Sequence, residues 1–195
     1  MKIIELVVDE DNVYGVDAIS IVEAPAIGEN FIKLKEEQPE VVRFKEIDKE
    51  RKIMLGAALI PNLPIYRNDP KHGEYYVFMS KETVRKASQR FLELGLQGEA
   101  TIEHEEKLNG CVVVESWIKE GEKDKSMNYG LDYPEGTWVI SMRASDAIWN
   151  EQVKTGKVKG FSIEAAMLDR MKVKEEANSH SKMLSEIEQV VKKSK

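Results

Sequence analysis

The feature that most constrains this chain is a succession of short runs, rich in apolar and β-branched residues and closed by turn signals, that occupies most of the first 170 residues. Residues 2–8, 16–22, 31–34, 41–47, 52–60 and 75–79 carry the pattern, and 100–104, 111–118, 137–142 and 158–167 continue it. Runs of this length between turn formers read as strands. Two segments break the rhythm. Ser80 stands where it can cap a helix whose Val84, Ala87, Phe91 and Leu92 share one face, ending near Gly95. Ser145 precedes a second helical pattern over 146–155, with Ile148, Trp149 and Val153 on one face and Gly156 as its stop. Many short strands with two interleaved helices predict an α+β domain with a β-rich, barrel-like core and helices packed outside it. Residues 35–40, charged and holding Pro39, and residues 62–73, holding Pro64 and Pro70, read as loops.

The pattern changes at residue 172. Residues 172–181 are polar, and Met183, Leu184, Ile187, Val190 and Val191 then line one stripe of a terminal helix. The chain thus divides into a folded domain over 1–171 and a polar linker with an amphipathic tail helix over 172–195. The stripe needs a surface to cover, on its own domain or on a partner chain.

Composition narrows the chemistry. A hydrophobic fraction of 42% beside 33% charged residues suits a soluble globular domain with a real core. A net charge of −6 argues against nucleic acid as the main partner. The apolar runs are too short to span a bilayer. The N-terminal stretch carries Glu5 and no small-residue cleavage site, so it reads as a strand and not as a signal peptide. The single cysteine, Cys111, excludes an internal disulfide and opens the apolar run Val112-Val113-Val114. It reads as a small core residue and not as a thiolate nucleophile, which needs an electropositive setting. With three histidines and one cysteine there is no zinc-type ligand set, and no cofactor is expected. These features together fit a reducing, cytoplasmic location.

Of the three histidines, His72 lies in a Lys-His-Gly turn and His180 in a polar stretch between Ser179 and Ser181. His104 is different: it ends a strand-like run and has Glu103, Glu105 and Glu106 around it. Such acids favour a protonated imidazole, which suits a general base and equally an exposed surface cluster. Among the serines, Ser162 lacks a capping or turn explanation, because it stands in the apolar run Gly160-Phe161-Ser162-Ile163. Its hydroxyl faces core, solvent or a site, and Gly160 allows another backbone to approach closely. A serine hydroxyl becomes a nucleophile when a histidine takes its proton and a third group orients that histidine. Glu115, a lone acid in Val112-Val113-Val114-Glu115-Ser116-Trp117, is the first candidate for the third group. Glu164, two residues beyond Ser162 and so on the same strand face, is the second, and Asp169 the third.

Six blocks of sequence in order carry a resemblance. They are residues 16–27 (Val16 to Ile27), 60–67 (Ile60-Pro61-Asn62-Leu63-Pro64-Ile65-Tyr66-Arg67), Thr101-Ile102-Glu103-His104, Val114-Glu115-Ser116-Trp117-Ile118, Gly136-Thr137-Trp138 and Gly160-Phe161-Ser162-Ile163-Glu164. Over roughly residues 14 to 168 the chain resembles the XkdF-like phage proteases, within the wider group of prohead proteases related to the herpesvirus assemblins. The resemblance implies a herpesvirus-protease-like core with Ser162 as nucleophile and His104 as base, the histidine preceding the serine as in that group. It implies a serine endopeptidase that cleaves scaffold and major capsid protein segments, and itself, during capsid maturation inside the assembling procapsid, in the host cytoplasm and with self-association. The third catalytic member differs among branches of the group, which leaves Glu115, Glu164, Asp169 and His180 open; His180 would mimic the Ser-His-His arrangement of the assemblins. The competing expectation is a procapsid structural or scaffolding protein that keeps the fold without activity.

Overall fold

The computed structural model describes residues 2–8, 15–25, 43–70, 73–166 and 168–169. The predicted strand over 31–34, the loop over 35–40, His72, the linker and tail helix over 172–195 and His180 lie outside the described residues.

The strands follow the apolar runs closely. They are β1 (Lys2–Val7), β2 (Gly15–Val22), β3 (Lys45–Asp48), β4 (Ile53–Leu59), β5 (Ile65–Asp69), β6 (Gly73–Phe78), β7 (Ala100–Ile102), β8 (Glu106–Lys107), β9 (Val112–Ile118), β10 (Trp138–Arg143), β11 (Gly160–Ala166) and β12 (Leu168–Asp169). Helix α1 (Lys81–Glu93) starts where Ser80 accepts a hydrogen bond from the Thr83 N–H, and it stops before Gly95 at a φ of 72°. The predicted second helix is shorter and less regular. Ser145 caps α2 (Asp146–Ile148), which runs into a π-helical turn over Trp149–Val153 before Gly156. That turn buries both Trp149 and Val153, so the apolar face read from the sequence is kept while the hydrogen-bond pattern widens.

Three four-stranded sheets form among the described residues: β12-β1-β6-β5, β3-β4-β10-β9 and β11-β2-β7-β8. The architecture is mixed α+β with few helices, as expected, but no sheet closes into the barrel-like core that the strand count suggested. The chain passes from the third sheet to the first along β11 and β12, and the β11–β2 register shifts between Glu164 and Ala165 as it does so. The pairing resumes past this bulge, with Ala165 opposite Val16 and Ala166 opposite Gly15. The segment 62–73 was also expected to be a loop, yet it holds β5. Pro64 and Pro70 flank the strand instead of interrupting it, so no ladder N–H is lost.

One hydrophobic core is shared by all three sheets and α1. Ile19 and Ile21 from β2, Met54 and Leu59 from β4, Trp138 and Ile140 from β10, and Phe161 from β11 are all 2% exposed or less. Phe91 of α1 meets Trp138 edge-on at 5.4 Å between ring centroids. β10 buries five consecutive residues, Trp138 to Met142, because it is an inner strand of its sheet with core on both faces. Among the described residues no helix is long and apolar enough to cross a membrane.

Gly56 of β4 lies against Phe161 of β11 and Phe44. A Cβ added there would stand 2.9 Å from the Phe44 Cβ and 3.1 Å from the Phe161 ring. Phe161 directly precedes Ser162, so this contact seats the strand that carries the candidate nucleophile. Gly56→Ala is expected to lower unfolding free energy by about 1–3 kcal/mol through overpacking, read by chemical denaturation.

Candidate active site

The candidate site is assembled on one face of the third sheet. β11 runs antiparallel to β2 with Ser162 opposite Ser20 and Glu164 opposite Ala18, and β7 runs parallel to β2 with Thr101 beside Ser20. Cross-strand partners share a face, with Cβ atoms about 4.5–5.5 Å apart in an antiparallel pair, and residues two apart on a strand do the same. Phe161, Ile19 and Ile21 therefore share one face, buried in the core, and Ser162, Glu164, Ser20 and Thr101 share the other. Ala18 is small enough for Thr101 and Glu164 to meet across it, and the Thr101 hydroxyl donates to Glu164 Oε1. A cavity of about 170 Å³ lies against β11, lined by Ser162, Ile163 and Ala165 with Ile65 and Val77.

His104 reaches this face from a turn and not from a strand end, because β7 stops at Ile102. The Glu105 N–H donates to the Ile102 carbonyl at 3.0 Å, and the two residues inside that turn, Glu103 and His104, have φ of 50° and 61°. This is the twist that joins strands of a tight hairpin, normally supplied by Asn-Gly or Gly-Gly. Each non-glycine residue held there costs on the order of 1–3 kcal/mol and persists only where its surroundings over-determine it. Here the surroundings are plain. The Glu103 N–H donates to the Ile21 carbonyl at 3.1 Å, and the His104 N–H donates to Ser20 Oγ at 3.0 Å. The Glu103 carboxylate accepts from the Glu23 N–H at 2.6 Å. Lys159, just before β11, bonds through its N–H to the Val22 carbonyl and through its ammonium to Glu23, drawing β11 into the same clamp.

The clamp sets His104 Nδ1 at 3.6 Å from Glu164 Oε1, with the imidazole part-exposed. That separation is longer than a formed hydrogen bond and within ion-pair reach. With Nδ1 toward the carboxylate, Nε2 is left for a proton from elsewhere, which is the division of labour a hydrolytic triad needs. Ser162 is 5% exposed on this same face, one cross-strand pair from the hydroxyl that holds the His104 backbone.

Glu115 is positioned differently. It lies on β9 in the second sheet, where Oε2 accepts from the Ser141 hydroxyl at 2.6 Å and Oε1 meets Lys125 at 2.5 Å. The Lys125 ammonium, and after it the Ser141 hydroxyl, hold this carboxyl below its ordinary range. The structure thus places His104 beside Glu164, with Ser162 on the same sheet face, and it leaves Glu115 in a separate ion pair. Asp169 has its backbone in β12, paired with Leu6 of β1 in the first sheet. Cys111 is 1% exposed, and burial raises its thiol pKa against hydrogen bonding from Ser145, so it stays protonated in the core. Among the described residues no group of three or more His, Cys, Asp or Glu side chains is arranged to hold a metal ion.

Sequence reading missed Ser20, Thr101 and the Glu103–Glu23–Lys159 clamp. Ser20 did leave a trace: in Ala18-Ile19-Ser20-Ile21-Val22 it is the polar residue of an apolar strand, as Ser162 is in its own. Nothing in Glu103-His104 signals a left-handed turn, because that conformation is imposed by the partners.

Comparison with known proteins agrees with the sequence blocks. The family described as "Putative phage serine protease XkdF" matches residues 40–171. The "Phage-like element PBSX protein XkdF" of Bacillus subtilis (strain 168) is 33% identical over 114 residues, covering 58% of this chain and 36% of that protein. The "Uncharacterized protein YqbD" of the same strain is 31% identical over 140 residues, covering 68% of this chain and 38% of that protein. The chain therefore spans little more than a third of the length of these curated relatives. No solved structure matches it.

The Glu115 ion pair makes a pH-dependent contribution that is separate from the site. Its folded pKa is depressed, so its stabilisation is fully present above the ordinary carboxyl value of 4.5 and is lost as pH falls below it. The side chain is 43% exposed, so Glu115→Gln is expected to cost less than about 1 kcal/mol at neutral pH. Denaturation midpoints of the two proteins should converge in acid.

Proposed function

This chain belongs to the XkdF family of phage serine proteases, and from that premise we propose that it is an endopeptidase with Ser162 as nucleophile, His104 as base and Glu164 as the group that orients His104. The observation that carries this reading is the contact of His104 Nδ1 with Glu164 Oε1 on the sheet face that also holds Ser162. In the reaction, Ser162 Oγ attacks the scissile carbonyl while its proton passes to His104 Nε2, and Glu164 stabilises the resulting imidazolium. The imidazolium then protonates the departing amine, and water repeats the sequence on the acyl-enzyme. Glu164 takes the role for which Glu115 was the first sequence candidate, because Glu115 is engaged by Lys125 and Ser141 in another sheet.

The substrates proposed are scaffold and major capsid protein segments, and the chain itself, during capsid maturation inside the procapsid, where the enzyme associates with other copies. The family description and the resemblance to prohead proteases support this, as does the phage-element relative. Kinship with the herpesvirus assemblins rests on the resemblance alone. Confinement in a procapsid raises local substrate concentration, so cleavage there does not require tight binding.

A fluorophosphonate probe tests the nucleophile without knowledge of the substrate. Ser162 Oγ attacks phosphorus, an O–P bond forms, the P–F bond breaks, fluoride leaves, and the serine proton goes to His104. Peptide mapping by mass is expected to find one adduct, on Ser162, absent from Ser162→Ala and formed about 10²–10⁴-fold more slowly in His104→Ala. An adduct elsewhere, or none on a folded chain, would favour the inactive procapsid protein instead.

A further inference from the structure

We infer that Ser20 is a positioning residue of this site: its buried hydroxyl holds the His104 backbone in the left-handed turn that sets the imidazole beside Glu164. The inference rests on the reading of Ser162 and His104 as nucleophile and base. Three observations converge on Ser20. It is fully buried, at 0% exposure, between the completely buried Ile19 and Ile21, where a hydroxyl without a task costs free energy. Its Oγ accepts the His104 N–H at 3.0 Å across a sequence separation of 84 residues. It stands opposite Ser162 on one side and beside Thr101 on the other, so it touches the strands of both the candidate nucleophile and the residue that holds Glu164.

The physical need for it follows from the turn. His104 at a φ of 61° is strained, and relaxation of that angle would swing the imidazole away from Glu164. The neighbouring clamp secures Glu103 through its N–H and its carboxylate, but it is Ser20 Oγ that accepts from the His104 N–H itself. Removing that acceptor also leaves a turn N–H unpaired beside the site. Ser20 needs no contact with substrate for this, and its effect passes entirely through His104.

The test compares the full chain with Ser20→Ala and Ser20→Thr, reading fluorophosphonate labelling of Ser162 and amide hydrogen exchange of His104. Ser20→Ala is expected to slow the maximal labelling rate on the order of 10²-fold, with the concentration dependence of probe binding unchanged and exchange at His104 accelerated. Ser20→Thr keeps the oxygen and suits a strand, so it should recover most of the rate. Thermal unfolding of each variant identifies any that fails to fold, and exchange at His104 in the remaining variant still reads the hydrogen bond. Labelling of Ser20→Ala at the wild-type rate, or slow labelling with His104 exchange unchanged, would overturn the inference. Absence of labelling at Ser162 in the wild type would instead overturn the reading on which it rests.

Discussion

Strand β2 is the constraint on which the rest depends. It is paired on both edges, to β11 and to β7, and within Gly15–Val22 the residue facing solvent is Asp17. Ile19 and Ile21 on its inner face are completely buried, each contributing roughly 1.5–3 kcal/mol by leaving water. That burial fixes the register of the whole sheet, because a slip by one residue would turn both isoleucines outward and Ser20 into the core. The outer face then has no freedom left. Ser162, Thr101 and Glu164 are set beside Ser20 and Ala18 by the same hydrophobic pairing that makes the fold.

The histidine is held by polar contacts, in contrast to the serine. Two consecutive non-glycine residues at positive φ form a turn that local sequence does not favour, and hydrogen bonds from β2 and the Glu23–Lys159 pair hold it closed. Strain of this kind concentrates where geometry matters more than stability. The ion pair of Glu115 with Lys125 has no such strain around it and ties β9 to the short 3-10 helix over Lys125–Tyr129. The two acidic clusters therefore differ in what their surroundings give up to keep them.

The strands and α1 were legible in the sequence because their signals are local: alternation and apolar runs for β2, β4, β10 and β11, and a serine cap with an apolar face for α1. β5 was not, since Pro64 and Pro70 suggested a loop and only pairing with β6 shows that they lie outside the strand. The failure of the sheets to close was equally hidden, because closure depends on which strands pair across the fold and not on how many strands there are. At the site, Ser162 stood out as a polar residue in an apolar strand and His104 as a histidine among acids. Glu115 stood out for the same reason as Ser162, but a lone acid in a strand does not announce its partner, and here the partners are Lys125 and Ser141. Glu164 was visible through its spacing from Ser162; its contact with His104 needed the third dimension.

Proteolysis by Ser162 is tested most directly by intact mass over time for the chain incubated with the scaffold and capsid proteins of the same phage, beside Ser162→Ala. Discrete fragments that accumulate with the wild-type chain and are missing with the variant are the predicted result. The same fragments with both chains, or none with either while both remain folded, would contradict it.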